Sequence, residues 1–316
     1  MKRFDTIRDT DSVDNPNCKR CSNSESRQTD KDGLCTIIKS VVDGMPLRCV
    51  GKWANNKIYY LLQYFQIFAQ GMHKKWGKLR YVEICSGPGR CSTRDGKEQD
   101  GTALSIVKNE RFDLLADAIF IDYSPNVIGI LKERFKAVGK LEHAHAIVGD
   151  YNDQSSIVNA LQEFSPNSLT LCFIDPTDCS LPFEAIRSIV KATSGKCDFL
   201  ISFFDELDFH RNAVNATLDD SFGKLREKYE RFLGTSDFFS REEVIAAAKA
   251  GKHDVLSQMF RNQYCSALNG IGLSYQDWKQ VKNYYKLLFV SQHPKGLEFW
   301  KKASKLDPEG QGQLFG

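Results

Sequence analysis

The sequence has no apolar run near the ~18–20 residues that a helix needs to span a bilayer. Its first residues, Met1-Lys2-Arg3-Phe4-Asp5-Thr6, hold no apolar stretch of the kind that directs export. The expectation is a cytoplasmic, soluble protein with no membrane partner. Excess charge of one sign is also scarce, with 43 Lys and Arg against 40 Asp and Glu and a net charge of +3. Nucleic acid therefore remains a partner class that charge does not indicate, since a strong basic field is missing. The small clusters Lys74-Lys75 with Lys78 and Arg80, and Lys301-Lys302 with Lys305, read as solvated helix faces as readily as phosphate contacts. Several catalytic signatures are absent. There is no G-x-x-x-x-G-K-[ST] loop near the first strand and no G-x-S-x-G elbow. No metal-binding carboxylate cluster, such as a paired D-x-D on one strand, suggests a nuclease.

What is present is enough apolar sequence, 41% of residues, for a sizeable core. The ten cysteines of this 316-residue chain do not read as a disulfide framework, because a chain of this size does not need staples. Cys85, Cys172 and Cys197 fall inside apolar strand-like runs and read as buried thiols.

Along the chain, residues 1–49 read as a polar, cysteine-containing, mobile N-terminal arm. From Trp53 to Gly71, Ile58, Leu61, Leu62, Phe65, Phe68 and Ala69 recur at helical spacing. Short apolar strands then alternate with helices. Strands are expected at Arg80–Cys85, Asp117–Tyr123, His145–Gly149, Leu169–Asp175 and Cys197–Phe204. Helices are expected at Thr102–Asn109, Pro125–Val138, Asp153–Phe164 and Pro182–Ala192, with a long loop from Cys91 to Gly101. This alternation predicts an α/β fold with a doubly wound, mostly parallel Rossmann-like sheet. The core is expected at 50–207, a helical insertion at 208–280, a closing strand and helix at 281–305, and a flexible tail at 306–316.

Ligands of doubly wound sheets bind beyond the carboxyl ends of the strands, where strand order reverses. Four strand ends here carry suitable residues. The first has Glu83 and the turn Ser86-Gly87-Pro88-Gly89, and the second has Asp122. The third has Gly149-Asp150, and the fourth Asp175-Pro176, with Asp178 just beyond. Glycines let a backbone turn sharply and approach a ligand. A carboxylate ending the second strand can accept hydrogen bonds from both ribose hydroxyls, and one after the third can take an adenine amino group. Asp175 and Asp178 are the candidates to orient or deprotonate a nucleophile. An isolated acid after a strand is often only a helix cap, and Asp153 and Glu184 read that way. A nicotinamide fingerprint fails at Ser92, where a third glycine is required. An acidic strand followed by Ser-Gly-Pro-Gly fits the pattern of S-adenosylmethionine-dependent methyltransferases better. Glu83, Ser86, Gly87, Pro88, Gly89, Asp122 and Asp150 are then the candidate cofactor residues.

An ordered series of segments resembles the three-Cys-motif partner protein family. It comprises Val50-Gly51-Lys52-Trp53-Ala54 with Lys57, Tyr81 to Cys91, Asp100-Gly101-Thr102-Ala103-Leu104, and Phe173-Ile174-Asp175-Pro176 with Leu181-Pro182-Phe183. Arg211-Asn212 and His293-Pro294-Lys295-Gly296-Leu297 complete it, over roughly residues 30 to 305. The resemblance implies a methyltransferase-like Rossmann fold, S-adenosylmethionine as cofactor, and association with a separate protein bearing three cysteines. The chain departs from the family pattern at Glu83, where aspartate is common, and at Thr102-Ala103, where serine-proline is common. Asp175-Pro176-Thr177-Asp178 lacks the aromatic ending that holds a flipped base in amino-methylating nucleic-acid enzymes. A methyltransferase-shaped module that recognises a partner without chemistry is the alternative reading.

Other features stay open between two readings. Cys18 and Cys21 have zinc-ligand spacing, but Cys35 and Cys49 do not form a second close pair, so free thiols compete with a metal knot. His210-Arg211-Asn212, with Asp205, Glu206 and Asp208, either lines a substrate pocket or starts a helix. Trp53, Trp76, Trp278 and Trp300 read as core anchors, with Trp53 also a candidate cover for the cofactor.

Overall fold

A computed structural model describes residues 12–16, 18, 28–51, 53–93, 96–281 and 285–308. In chain order the elements are β1 (Val13–Asp14), β2 (Leu34–Lys39), β3 (Pro46–Val50), α1 (Ala54–Met72), β4 (Leu79–Ile84), β5 (Arg90–Thr93), β6 (Lys97–Asp100), α2 (Thr102–Val107), β7 (Asp117–Asp122), α3 (Pro125–Val138), β8 (Ala144–Val148) and α4 (Gln154–Glu163). They continue with β9 (Leu169–Ile174), α5 (Phe183–Ala192), β10 (Cys197–Phe203), α6 (Phe209–Leu218), α7 (Gly223–Leu233), α8 (Glu242–Lys249), α9 (His253–Gly270), β11 (Tyr275–Val281), β12 (Tyr285–Ser291) and α10 (Pro294–Ala303). Every strand and helix expected from apolar periodicity is present, with ends within two residues of the expected ones. The chain divides into two compact units. The first is Met1–Gly149 with Ser168–Phe173 and Glu298–Gly316, and the second Asp150–Asn167 with Ile174–Leu297.

In the first unit the strand order is β9-β4-β7-β8, with β4, β7 and β8 parallel neighbours. Counted along the chain, these four strands lie fourth, first, second, third. Strand order therefore reverses at β4, the arrangement that opens a crevice at strand carboxyl ends in Rossmann-like α/β folds. β4 and β7 are buried apart from the half-buried Asp117, and rings from α1, β4, β7 and α3 pack in a chain: Phe65 to Tyr81 at 6.0 Å, Tyr81 to Phe120 at 5.6 Å, and Phe120 to Phe135 at 4.8 Å. Trp300 is fully buried against Tyr60 and Tyr64 of α1, as expected of a core anchor. The entry of α3 follows from local chemistry. Ser124 accepts the Val127 N–H at 3.2 Å and Pro125 occupies the first turn, so an otherwise orphaned donor is satisfied.

A second sheet in the same unit corrects two expectations. Its order is β1-β6-β5-β3-β2. Residues 34–50, read as part of a mobile polar arm, form the antiparallel pair β2 and β3. The stretch from Cys91 to Gly101, read as a long loop, lies mostly in β5 and β6. Apolar periodicity missed them because the sheet is held by buried polar groups. Glu98 is completely buried and bonds Arg90 Nε at 2.8 Å, Ser40 Oγ at 2.5 Å and the Val41 N–H at 2.9 Å. Burial raises the Glu98 carboxyl, but these bonds and the Arg90 charge outweigh it and leave it below its ordinary 4.5. A carboxyl lowered on folding adds stability that is present above its unfolded value and lost as pH falls through the folded one. Urea unfolding from pH 7 to pH 3 should therefore show stability falling below about pH 4.5, and less steeply in Glu98→Gln. Identical pH dependence in the two proteins would show that Glu98 contributes nothing to the acid limb.

The second unit contains α4 to α9 and the antiparallel strands β11, β12 and β10, in that order. The segment expected as a helical insertion at 208–280 is helical only through Gly270. Tyr275–Val281 pairs instead with β12, its half-buried polar residues giving it the character of an edge strand. The helices close on an aromatic core. Phe260 stacks on Phe209 at 3.9 Å and on Phe232 at 5.6 Å, while Phe203 lies 5.2 Å from Tyr264. No helix among the described residues is long and apolar enough to cross a membrane.

Candidate binding site at the glycine turn

The first unit brings together six of the sequence candidates: Glu83, Ser86, Gly87, Pro88, Gly89 and Asp122. β4 delivers Glu83 one residue before its end, and β7 ends on Asp122. The intervening turn is buried and strained. Cys85, Gly87 and Gly89 take φ of 67°, 65° and 89°, so a non-glycine residue also holds a left-handed conformation there. The turn is fixed to β7 by two hydrogen bonds. The Ser86 N–H donates to the Ile121 carbonyl at 3.0 Å, and the Gly87 N–H donates to Asp122 Oδ2 at 3.0 Å. Asp122 is 3% exposed, and its Oδ1 accepts the Ser124 N–H at 3.3 Å.

Glu83 has a different place from the one expected. It is wholly buried, its Oε2 accepts the Tyr81 hydroxyl at 2.7 Å, and its Oε1 accepts the Thr102 hydroxyl. Oε1 thus ties β4 to the first residue of α2, while Oε2 holds Tyr81 of the same strand. Gly89 likewise serves packing. A Cβ there would come within 2.9 Å of Leu131 Cδ1, and Gly101 donates to the Gly89 carbonyl at 2.7 Å.

Two arginines that sequence reading did not select complete the site. Arg134 of α3, 2% exposed, donates to the carbonyls of Pro88 and Pro46 and to both oxygens of Asp43. Arg48 of β3 lies over the turn, with Nη2 4.0 Å from Asp122 Oδ2 and 3.4 Å from the Asp32 carbonyl. Neither arginine carries a sequence signal, because one sits in an amphipathic helix and the other in a segment read as an arm. Beside Asp122, the exposed Tyr123 donates its hydroxyl to the Lys31 carbonyl at 3.1 Å. The Trp53 ring lies against Gly51. Lys52, part of the family-like segment, and Cys21 of the cysteine pair fall outside the described residues. No group of three or more metal-binding side chains occurs among the described residues.

The other candidates belong to the second unit. Asp150 is exposed and accepts the Asn152 N–H at 2.8 Å, in a local turn. Asp153 caps α4 through the Ser155 N–H, as expected, while Glu184 sits in the first turn of α5 beside Arg187 rather than at its cap. Asp175 follows β9 and is half-buried. Asp178 shares the Lys228 ammonium, at 3.3 Å, with Asp208 at 2.7 Å. Asp208 also accepts the Tyr229 hydroxyl at 2.8 Å and the Cys179 N–H at 2.9 Å. Burial lowers the Lys228 ammonium, but the two aspartates outweigh it and raise it above its ordinary value. Of the group around His210, Asp205 is fully buried between Arg261 and Lys286, which also pairs with Glu206. His210 Nδ1 lies 3.1 Å from Ser257 Oγ, and Asn212 donates to the Asp208 carbonyl at 2.8 Å. Asp208 stands at the N-terminus of α6 and His210-Arg211-Asn212 in its first turn, so the segment starts a helix.

No family model matches the sequence, and no curated protein matches it. Among solved structures the chain is similar to methyltransferases. One is the N-terminal domain of human METTL16 in complex with SAH, at 8% identity, covering 76% of this chain and 71% of that one, with a TM-score of 0.40. Another is a Methanococcus maripaludis protein described as a putative S-adenosyl-L-methionine-dependent methyltransferase, at 14% identity, covering 76% and 87%, with a TM-score of 0.38. A third is SAH-bound PaMTH1 of Podospora anserina, at 14% identity, covering 73% and 76%, with a TM-score of 0.38. At these identities and scores, fold and site rest on the chain's own strand order and hydrogen bonds.

Proposed function

We propose that this protein is an S-adenosylmethionine-dependent methyltransferase acting on a macromolecular or peptide substrate, in association with a three-Cys-motif protein as its sequence resemblance implies. The observation that carries the reading is the buried Asp122 carboxylate, hydrogen-bonded to the Gly87 N–H of a left-handed glycine turn at the point where strand order reverses. The residues present fit such a cofactor. Asp122 is an acceptor suited to ribose hydroxyls, and the buried Ser86 Oγ has no hydrogen-bond partner among the described residues. An orphaned buried hydroxyl is costly unless a ligand or water satisfies it.

Bound S-adenosylmethionine would supply an electrophilic methyl group for transfer to a substrate oxygen or nitrogen. Asp122 positions the ribose, and Gly87 leaves its backbone close to the ligand. Glu83 acts indirectly, tying β4 to α2 through Thr102. Asp175 and Asp178 are assigned to the nucleophile, orienting it or accepting its proton. In that role Asp178 is steadied by Lys228.

The test is calorimetric titration of the purified protein with S-adenosylmethionine and S-adenosylhomocysteine. Micromolar binding, about −8 kcal/mol, is expected for both, followed by transfer of a labelled methyl group to a substrate found with the partner. A folded protein that binds neither ligand would overturn the enzyme reading and leave the partner-recognition module.

A further inference from the structure

Asp122 is the acceptor that the proposed cofactor needs, yet in this structure it is 3% exposed. Its Oδ2 faces the Gly87 N–H and Arg48, and its Oδ1 faces the Ser124 N–H. A ligand hydroxyl reaches such a carboxylate only if part of its cover moves. The pieces of the first unit beside it differ in how firmly they are held. The glycine turn is bonded to β7 and to the buried Arg134. The other piece is a short hairpin that leads into β2. There the Gly33 N–H closes a turn on the Asp30 carbonyl, Thr29 bridges to Cys35, and the Thr36 N–H donates to the Gln28 carbonyl.

The outer part of this hairpin, Gln28-Thr29-Asp30-Lys31-Asp32-Gly33, carries no apolar side chain. Directly after it, Leu34 is 2% exposed and packs against Val127 and Ile130 of α3. The chain is thus anchored at Leu34, and Gly33, at a φ of 74°, is the joint between the anchored and unanchored parts. Three polar contacts hold the tip beside Asp122. The Tyr123 hydroxyl donates to the Lys31 carbonyl at 3.1 Å, and Asn126 Nδ2 donates to Asp32 Oδ2 at 3.3 Å. Arg48 Nη2 spans the two sides, 4.0 Å from Asp122 and 3.4 Å from the Asp32 carbonyl. Tyr123 and Asn126 are exposed, so water can replace their bonds at small net cost. A segment with no buried apolar side chain and water-accessible hydrogen bonds opens locally far more easily than the whole unit unfolds. Resting on the proposed cofactor, we propose that residues 28–33 are a gate beside Asp122, latched by Tyr123 and Asn126, which swings on Gly33 to admit the cofactor and closes behind it.

The experiment measures association and dissociation rates of S-adenosylhomocysteine on the immobilised full chain by surface plasmon resonance. The proteins are wild type, Tyr123→Phe, Asn126→Ala, the double variant and Gly33→Ala, each shown by a matched thermal melt to be folded. Loss of one latch bond should raise both rates by about 2- to 10-fold, and the double variant should exceed either single one. Affinity should stay within about twofold, because a gate obstructs entry and exit alike. Gly33→Ala should act in the same direction by a separate route. A Cβ there meets Arg48 only at ordinary contact distance, 3.7 Å, so its effect comes from straining the closed, left-handed turn. In the ligand-free proteins, amide exchange over residues 28–36 should quicken in the same variants. Unchanged rates in both the double variant and Gly33→Ala, with wild type binding, would overturn the gate and leave the cofactor standing. Faster dissociation alone would also overturn it, making the tip a wall that touches the ligand. Failure of wild type and all variants to bind would refute the cofactor, and the gate with it. Binding that appears only in the variants would support the gate.

Discussion

Asp122→Ala should weaken S-adenosylmethionine and S-adenosylhomocysteine binding by at least about 100-fold. A site built around a buried acceptor loses roughly 2–5 kcal/mol when that acceptor is truncated. Asp122 is 3% exposed and ends β7 at the switch point, so nothing of similar chemistry can swing into its place. The change also has a structural cost. The Gly87 and Ser124 N–H groups both donate to this carboxylate, and each loses its partner. An unsatisfied buried donor costs about 1–3 kcal/mol, so urea unfolding must accompany the titration. Asp122→Asn separates the effects, because its amide oxygen can still accept from one N–H while the anionic acceptor is gone. Unchanged affinity in a folded Asp122→Ala protein would remove the ribose role and, with it, the strongest support for the cofactor.

Arg134→Met should destabilise the first unit by about 3 kcal/mol, lowering the melting temperature by roughly 6–12 °C. The arginine is 2% exposed and replaces water for two backbone carbonyls and one carboxylate. Removing a buried cation costs most when its partner is left uncompensated. Asp43 keeps 22% exposure and some access to water, which places the effect at the lower end of the usual range. Burial raises the Asp43 carboxyl, but the Arg134 bond and the others it accepts hold it below its ordinary 3.8. The double variant Asp43→Asn/Arg134→Met should be less destabilised than the sum of the two single changes, since neither partner is then left charged and alone. Additive losses would show that the pair does not couple. Because Arg134 also holds the Pro88 carbonyl, ligand affinity should fall in the same variant.

The contrast between these two residues shows where sequence reading reaches and where it stops. Asp122 was legible because an apolar strand, Asp117-Ala118-Ile119-Phe120-Ile121, ends on a single acid. The same holds for Gly87 and Gly89, whose turn follows an apolar strand. Strands that bury both faces and helices with one apolar stripe leave a period in the chain, and that period survives without coordinates. Arg134, Arg48 and Glu98 leave no period. Arg134 and Glu98 are buried in hydrogen bonds that include partners distant along the chain, and Arg48 is half-buried over the turn. Asp43 lies 91 residues from Arg134, and Ser40 lies 58 residues from Glu98.

By itself, then, the sequence determined the α/β class, the order of the strands and helices from Leu79 to Phe203 apart from β5 and β6, and the strand ends that carry the candidate residues. These follow from local propensity and hydrophobic spacing, which act over a few residues. Tertiary structure decided the rest. It turned residues 34–50 and 90–100 into a sheet, Tyr275–Val281 into an edge strand, and Glu83 into a tie between β4 and α2. Hydrogen bonds and ion pairs between distant segments form only once the chain has folded, and a polar residue does not announce which partner will bury it.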